Sequence, residues 1–147
     1  MRYLKVYLLL VTIVFMTVAF KAGSTSGVSM EPFLMNGQKF LYVHPIKPPR
    51  VGEIVILEKD NEQLVKRVVG TPGDTIMLLN GKVIGVNGSL LPEATLPKAS
   101  IRNVKLHFVS AGHYYVIGDN QDYSIDSREF GEVTKTEIHG FVVLRLW

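Results

Sequence analysis

The chain of 147 residues contains no cysteine. Disulfides, thiolate metal sites and a cysteine nucleophile are excluded together. The compartment stays open, because one domain of this size can fold on its apolar core alone. Net charge is equally scarce over most of the length. Arg2, Lys5 and Lys21 precede every acid, so residues 22–147 hold 13 basic and 13 acidic side chains, and the formal +3 and pI of about 9.2 belong to one end. A chain whose body is neutral carries no basic stripe for an anionic polymer, and nucleic acid is not its partner. Amphipathic helical periodicity is also missing after residue 21, apart from a turn or two near residues 132–137.

What is present begins with one apolar run. Residues 6–20 have no charge, glycine or proline. As a helix the run spans ~22 Å, which residues 3–5 lengthen and snorkelling Lys5 and Lys21 extend toward the ~30 Å of a bilayer core. Three readings compete for residues 1–21: a retained transmembrane anchor, a cleaved secretory signal, and a buried core helix. No polar face exists to show solvent, which disfavours the core helix. No clean Ala-x-Ala pattern marks a cleavage site. Either membrane reading keeps the N-terminus cytoplasmic, since Arg2, Lys5 and the free amine outweigh Lys21, and sends the rest across.

The remainder, residues 22–147, reads as one mainly β domain of antiparallel sheet. Residues 22–28 (AGSTSGV) form a short tether or the start of an edge strand. Strands are expected over residues 39–43, 53–57, 63–69, 75–79, 82–86, 105–109, 114–118 and 141–146, all rich in Val, Ile, Leu, Phe and Tyr. Asn36-Gly37, Asn80-Gly81 and Asn87-Gly88 supply tight-turn chemistry. An irregular excursion is expected around residues 88–112, opening with GSLLPEATLPKAS at 88–100.

Three clusters could carry chemistry. The first is GVSMEP at 27–32, whose Ser29 on its own reads equally as a turn hydroxyl. In the second, LVKRVVGTPGD at 64–74, strand alternation places Lys66 and Arg67 on opposite faces, so one of two adjacent cations meets an apolar surface. If Lys66 is the inward one, desolvation lowers its pKa at ~1.4 kcal/mol per unit, and a neutral amine is a competent general base. Otherwise both cations snorkel from the strand edges. The third, GDNQDYSIDSR at 118–128, packs carboxylates, hydroxyls and an Arg into one loop after an apolar strand. It is a solvated turn or an oxygen-rich site, but Asp119, Asp122 and Ser124 lack the spacing and terminal Glu of an EF-hand loop, so no metal is expected. His44, His107, His113 and His139 lie outside all three clusters, which leaves a Ser/His mechanism without support.

Taken in order, SMEP at 29–32, KRVVGTPGD at 66–74 and GDNQDYSIDSR at 118–128 resemble the signatures of the bacterial type I signal peptidase family of Ser/Lys proteases. The resemblance implies a β-rich catalytic domain behind an N-terminal membrane anchor, secretory precursors as substrates, membrane lipid as surroundings, and no cofactor. It makes Ser29 the nucleophile and Lys66 its general base. Ser124 matches the hydroxyl that orients the lysine, Asp126 and Arg128 a pair that braces the loop, and Asp119 an acid that pairs with Arg67. The oxyanion would take the Ser29 backbone N–H and a group near Gly27, although Gly27 offers no hydroxyl where some members have Ser. Phe33, Gln121 and Tyr123 depart from the usual Thr, Arg and Asn. The chain is short for the family, so compact relatives such as mitochondrial inner-membrane and conjugative-pilin peptidases are comparable. A specialist peptidase for a pilin or a few exported proteins, and a non-catalytic peptide-binding β domain, are the alternatives. Phe20 and Ser29 are close enough in sequence that the nucleophile stays within ~30 Å of the bilayer surface.

Overall fold

The computed structural model describes residues 3–8, 10–11, 20–92, 94 and 102–147. Residues 3–8, 10 and 11 are helical. The rest of the apolar run expected to anchor the chain lies outside the described residues, among which no helix is long and apolar enough to cross a membrane. Residues 95–101 of the expected excursion likewise lie outside them.

Short β-branched runs separated by tight turns pair locally, and the turns set the register. Strands β3 (Ile54–Lys59) and β4 (Glu62–Gly70) are joined by Asp60 and Asn61, both with positive φ, at 52° and 64°. β5 (Thr75–Leu79) and β6 (Lys82–Val86) are joined by the Asn80-Gly81 pair at 51° and 78°, the left-handed pair that matches strand twist in a two-residue hairpin. All pairings are antiparallel. They build a seven-stranded sheet in the order β1-β2-β11-β3-β4-β9-β10 and a four-stranded sheet in the order β7-β6-β5-β8. The remaining strands are β1 (Lys21–Ser24), β2 (Lys39–Val43), β7 (Ser89–Leu90), β8 (Lys105–Phe108), β9 (His113–Ile117), β10 (Val133–Thr134) and β11 (Ile138–Arg145).

Three apolar clusters hold these layers. One face of the large sheet buries Val55, Leu57, Val68, Val116 and Phe141. Its other face packs Val69, Tyr115 and Ile117 against Ile76 and Val83 of the small sheet. The crossing from β4 to β5 needs close approach at Gly70, where an added Cβ would lie 2.6 Å from Ile76 and 2.9 Å from Val109. Asp74 closes the turn by accepting from the Thr71 N–H and hydroxyl, each at 2.7 Å. The third cluster gathers Met30, Leu34, Phe40, Ile54 and Ile56 beneath the first motif.

Two of the open strand edges border the first motif. β1 ends the large sheet, paired among the described residues only with β2. β4 pairs with β3 from Glu62 to Arg67 but with β9 only from Arg67 to Gly70, so residues 63–66 keep one backbone edge unpaired among the described residues.

Candidate active site

Ser29 occupies a single turn fixed from below. Leu34 N–H donates to Met30 O at 2.8 Å and Glu31 N–H to Val28 O at 3.1 Å. Met30 and Leu34 are 2% and 0% exposed, so the residue after the serine is an anchor in the core while the serine itself is half-buried. Gly27 enters the turn at φ +92°, a conformation that explains the absence of a hydroxyl-bearing residue there. Its N–H donates to Asn36 Oδ1 at 3.0 Å. The Ser29 N–H makes no hydrogen bond among the described residues.

The alternation along β4 resolves as the apolar-face reading requires. Lys66 points inward with Val68 and is 3% exposed, while Arg67 points to the opposite face. The Lys66 ammonium nitrogen lies 3.1 Å from Ser29 Oγ. Burial lowers the lysine pKa. Asp126 opposes that shift and Arg128 adds to it. A serine hydroxyl in hydrogen-bond contact with an amine biased toward its neutral form has the geometry that a nucleophile and its base require.

The loop at 118–128 closes over both. Asn120 N–H donates to Ser29 O at 3.0 Å, and its side-chain amide to Val28 O at 3.3 Å. An added Cβ at Gly118 would lie 2.3 Å from Ser124 Oγ and 2.5 Å from Ser29 O, so only glycine allows this approach. Asp126 is fully buried and caps the one-turn helix Ser127–Phe130 by accepting from Arg128 N–H at 3.2 Å. Its carboxylate also takes Arg128 Nε at 2.7 Å, Arg128 Nη2 at 2.8 Å and Gly118 N–H at 2.9 Å. Burial pushes its pKa up, but the Arg128 bonds, the Gly118 N–H and the nearby Ser124 hydroxyl pull it below the ordinary carboxylate value. Ser124 Oγ is buried without an aligned hydrogen-bond partner among the described residues, so its bond to Lys66 is not formed in this structure.

Arg67 forks onto Asp119, with Nε on Oδ1 at 2.7 Å and Nη2 on Oδ2 at 2.6 Å, and its Nη1 donates to Gly52 O at 2.9 Å. The Phe33 ring meets both Arg67 and Arg145, whose guanidinium carbons are 4.9 Å and 5.3 Å from its centre. Phe33 is thus a partly exposed stacking platform, whereas Leu34 is core.

Ser29 and Lys66 line a groove of about 180 Å³. Residues 22–27 and 63–65 line it too, so the β1 edge and the stretch of β4 left unpaired among the described residues border the same groove. Phe40, Tyr42 and Ile56 give it an apolar lining, and no histidine contributes. Of the eight site residues named from sequence, Gly27, Ser29 and Lys66 line this groove, Asp119, Ser124, Asp126 and Arg128 stand in the 118–128 loop, and Arg67 is tied to that loop through Asp119 from the opposite face of β4. Asn120, Gly118 and Asn36 were not singled out by sequence. Asn120 and Gly118 lie inside the third motif, and nothing about Asn36 announces a contact with Gly27.

The signal peptidase, peptidase S26, family model matches residues 1–147. Signal peptidase I V of Bacillus subtilis is 32% identical over 134 residues, covering 79% of each chain. Mitochondrial inner membrane protease subunit 1 of Schizosaccharomyces pombe is 31% identical over 136 residues, 87% of this chain and 74% of its own. Among solved structures, a signal peptidase I from Enterococcus faecalis V583 is similar with a TM-score of 0.53 and 25% identity, across 67% of this chain and 99% of that one. The class is serine endopeptidase. The chain belongs to the signal peptidase family, peptidase S26.

Proposed function

We propose that this chain is a membrane-anchored endopeptidase that removes N-terminal signal peptides from translocated precursors, with Ser29 as nucleophile and Lys66 as general base. The observation that carries the reading is the 3.1 Å contact between Lys66 Nζ and Ser29 Oγ, made by a lysine that is 3% exposed. The neutral amine accepts the hydroxyl proton as Ser29 Oγ attacks the scissile carbonyl. The tetrahedral oxyanion takes the unpaired Ser29 N–H. The resulting ammonium returns the proton to the departing amine, which becomes the N-terminus of the mature protein. Water, deprotonated by the same lysine, then releases the signal peptide from its ester with Ser29. Ser124 Oγ, buried with no aligned hydrogen-bond partner among the described residues, is on this reading the acceptor that the lysine takes up once it becomes an ammonium. Asp126 and Arg128 brace the loop that carries Ser124, and the Arg67–Asp119 pair fixes the loop's other end. Gly27 does not offer its N–H to the oxyanion while Asn36 holds it.

An extended substrate strand fits between the two open edges, with small side chains entering the apolar lining of Phe40, Tyr42 and Ile56. On this reading residues 1–21 anchor the chain in a bacterial cytoplasmic membrane, with the N-terminus inside and the groove at the outer face beside lipid, as the apolar run at 6–20 and the basic residues flanking it support. A precursor held by its own apolar segment presents its cleavage site at that level.

The test is cleavage of a panel of secretory precursors and pilins by the purified full-length chain, with product N-termini sequenced. Broad cutting after small residues is the expected result. Restriction to one substrate would replace general processing with a specialist, and no cutting by a folded enzyme would remove the function.

A further inference from the structure

The loop behind the dyad is stitched to the small sheet through Gln121, a position where the chain departs from the family signature. Val83 N–H on β6 donates to Gln121 Oε1 at 2.8 Å, and Gln121 Nε2 donates to Val83 O at 3.0 Å. The side-chain amide thus stands where the peptide group of a further strand would stand. β7 does not compete for Val83, since it pairs with β6 only at Gly85 and Val86. The Gln121 carbonyl in turn accepts from Arg128 Nη2 at 2.7 Å. Two further links reach the same hairpin. Arg128 Nη1 donates to Gly81 O at 3.3 Å, and Lys82 pairs with Asp122 at 2.7 Å.

We propose that Gln121 is a positioning residue for the peptidase reaction, coupling the β5–β6 hairpin to the Asp126–Arg128 pair and through it to Lys66. The inference rests on the Ser29/Lys66 reading above. Arg128 divides its guanidinium among Asp126 and the main-chain carbonyls of Gln121, Ser124 and Gly81, so loosening Gln121 weakens one of the contacts that hold it. Asp126 and Arg128 are the charged groups acting on Lys66, in opposite senses. An Arg128 that drifts leaves Asp126 less compensated, which favours the lysine ammonium and moves the onset of activity to higher pH. The small sheet is, on this account, a splint for the catalytic loop.

The variant that tests this is Gln121→Met in the full chain, which keeps volume and removes both amide bonds. Precursor cleavage is followed against pH, and amide hydrogen exchange is followed across residues 118–128. The expected result is kcat lower by about 10-fold with KM near the wild-type value, a rising limb displaced to higher pH, and faster exchange in the loop. Gln121→Glu keeps the acceptor for Val83 N–H but loses the donor, and falls between the two. Wild-type exchange in the Met variant overturns the coupling. So does a variant that is merely less stable, with unchanged kcat per folded molecule and an unchanged pH profile. If the wild-type chain cuts no precursor, the proposed function fails on its own, and the exchange comparison still decides whether Gln121 orders the loop.

Discussion

The backbone N–H of Asn120 donates to the carbonyl oxygen of Ser29 across 3.0 Å, tying the loop after β9 directly to the backbone of the proposed nucleophile. Two segments more than ninety positions apart thereby share one geometry, and a disturbance of the loop is transmitted to the serine backbone without passing through Lys66.

Gly118 is the most sensitive point of that junction. Gly118→Ala places a methyl group 2.5 Å from Ser29 O, a backbone atom that cannot swing aside. Overpacking of this kind costs about 1–3 kcal/mol. Displacing the nucleophile by a fraction of an ångström should reduce kcat on the order of 100-fold. Steady-state cleavage together with a thermal melt checks both, and wild-type kcat in the variant would show that the serine backbone can shift freely.

The Arg67–Asp119 fork is planar and bidentate, and partly shielded from water. Asp119→Ala leaves the guanidinium without its carboxylate and frees the residue beside Asn120. The expected loss is roughly 1–3 kcal/mol in urea unfolding, with kcat reduced as well. Arg67→Lys does not restore it, because an ammonium cannot fork.

Lys66 links activity and stability through one proton. Burial lowers its pKa in the folded protein below the ordinary 10.5, while the unfolded chain titrates near that value. Between the two values the unfolded state binds the extra proton, so the stability this group contributes rises with pH across that window. Cleavage should therefore increase with pH as the amine deprotonates below 10.5, whereas a flat profile would remove Lys66 as base. Lys66→Met should be inactive yet more stable than wild type at pH 7, by on the order of 1 kcal/mol. The gap should narrow as the wild-type lysine loses its charge, which urea titrations at neutral and alkaline pH measure.

Much of this arrangement was legible because strand period two is a strong constraint. The LVKRVV stretch forces Lys66 and Arg67 apart, and the structure puts the first in the core and the second on Asp119. β2, β5 and β6 follow from β-branched and aromatic runs bounded by Asn-Gly or Pro. β1 was only half legible, because Ala22, Gly23 and Ser24 carry no apolar alternation and owe their extended form to pairing with β2. The helix Ser127–Phe130 is one turn long and too short for any period, although Asp126 with Glu129 three residues later is a helix-start signal. The bonds from Gln121 to Val83 and from Asn36 to Gly27 join positions that no local pattern connects. The strand expected at residues 105–109 is β8, which pairs with β5 at the edge of the small sheet, whereas β7 at Ser89–Leu90 lies where only an irregular excursion was expected.

The dyad itself is tested most directly by measuring precursor cleavage with Ser29→Ala and Lys66→Ala, each checked for wild-type circular dichroism. Both variants should retain the fold and lose turnover to background. Near wild-type cleavage by either folded variant would contradict the assignment of Ser29 as nucleophile or Lys66 as its base.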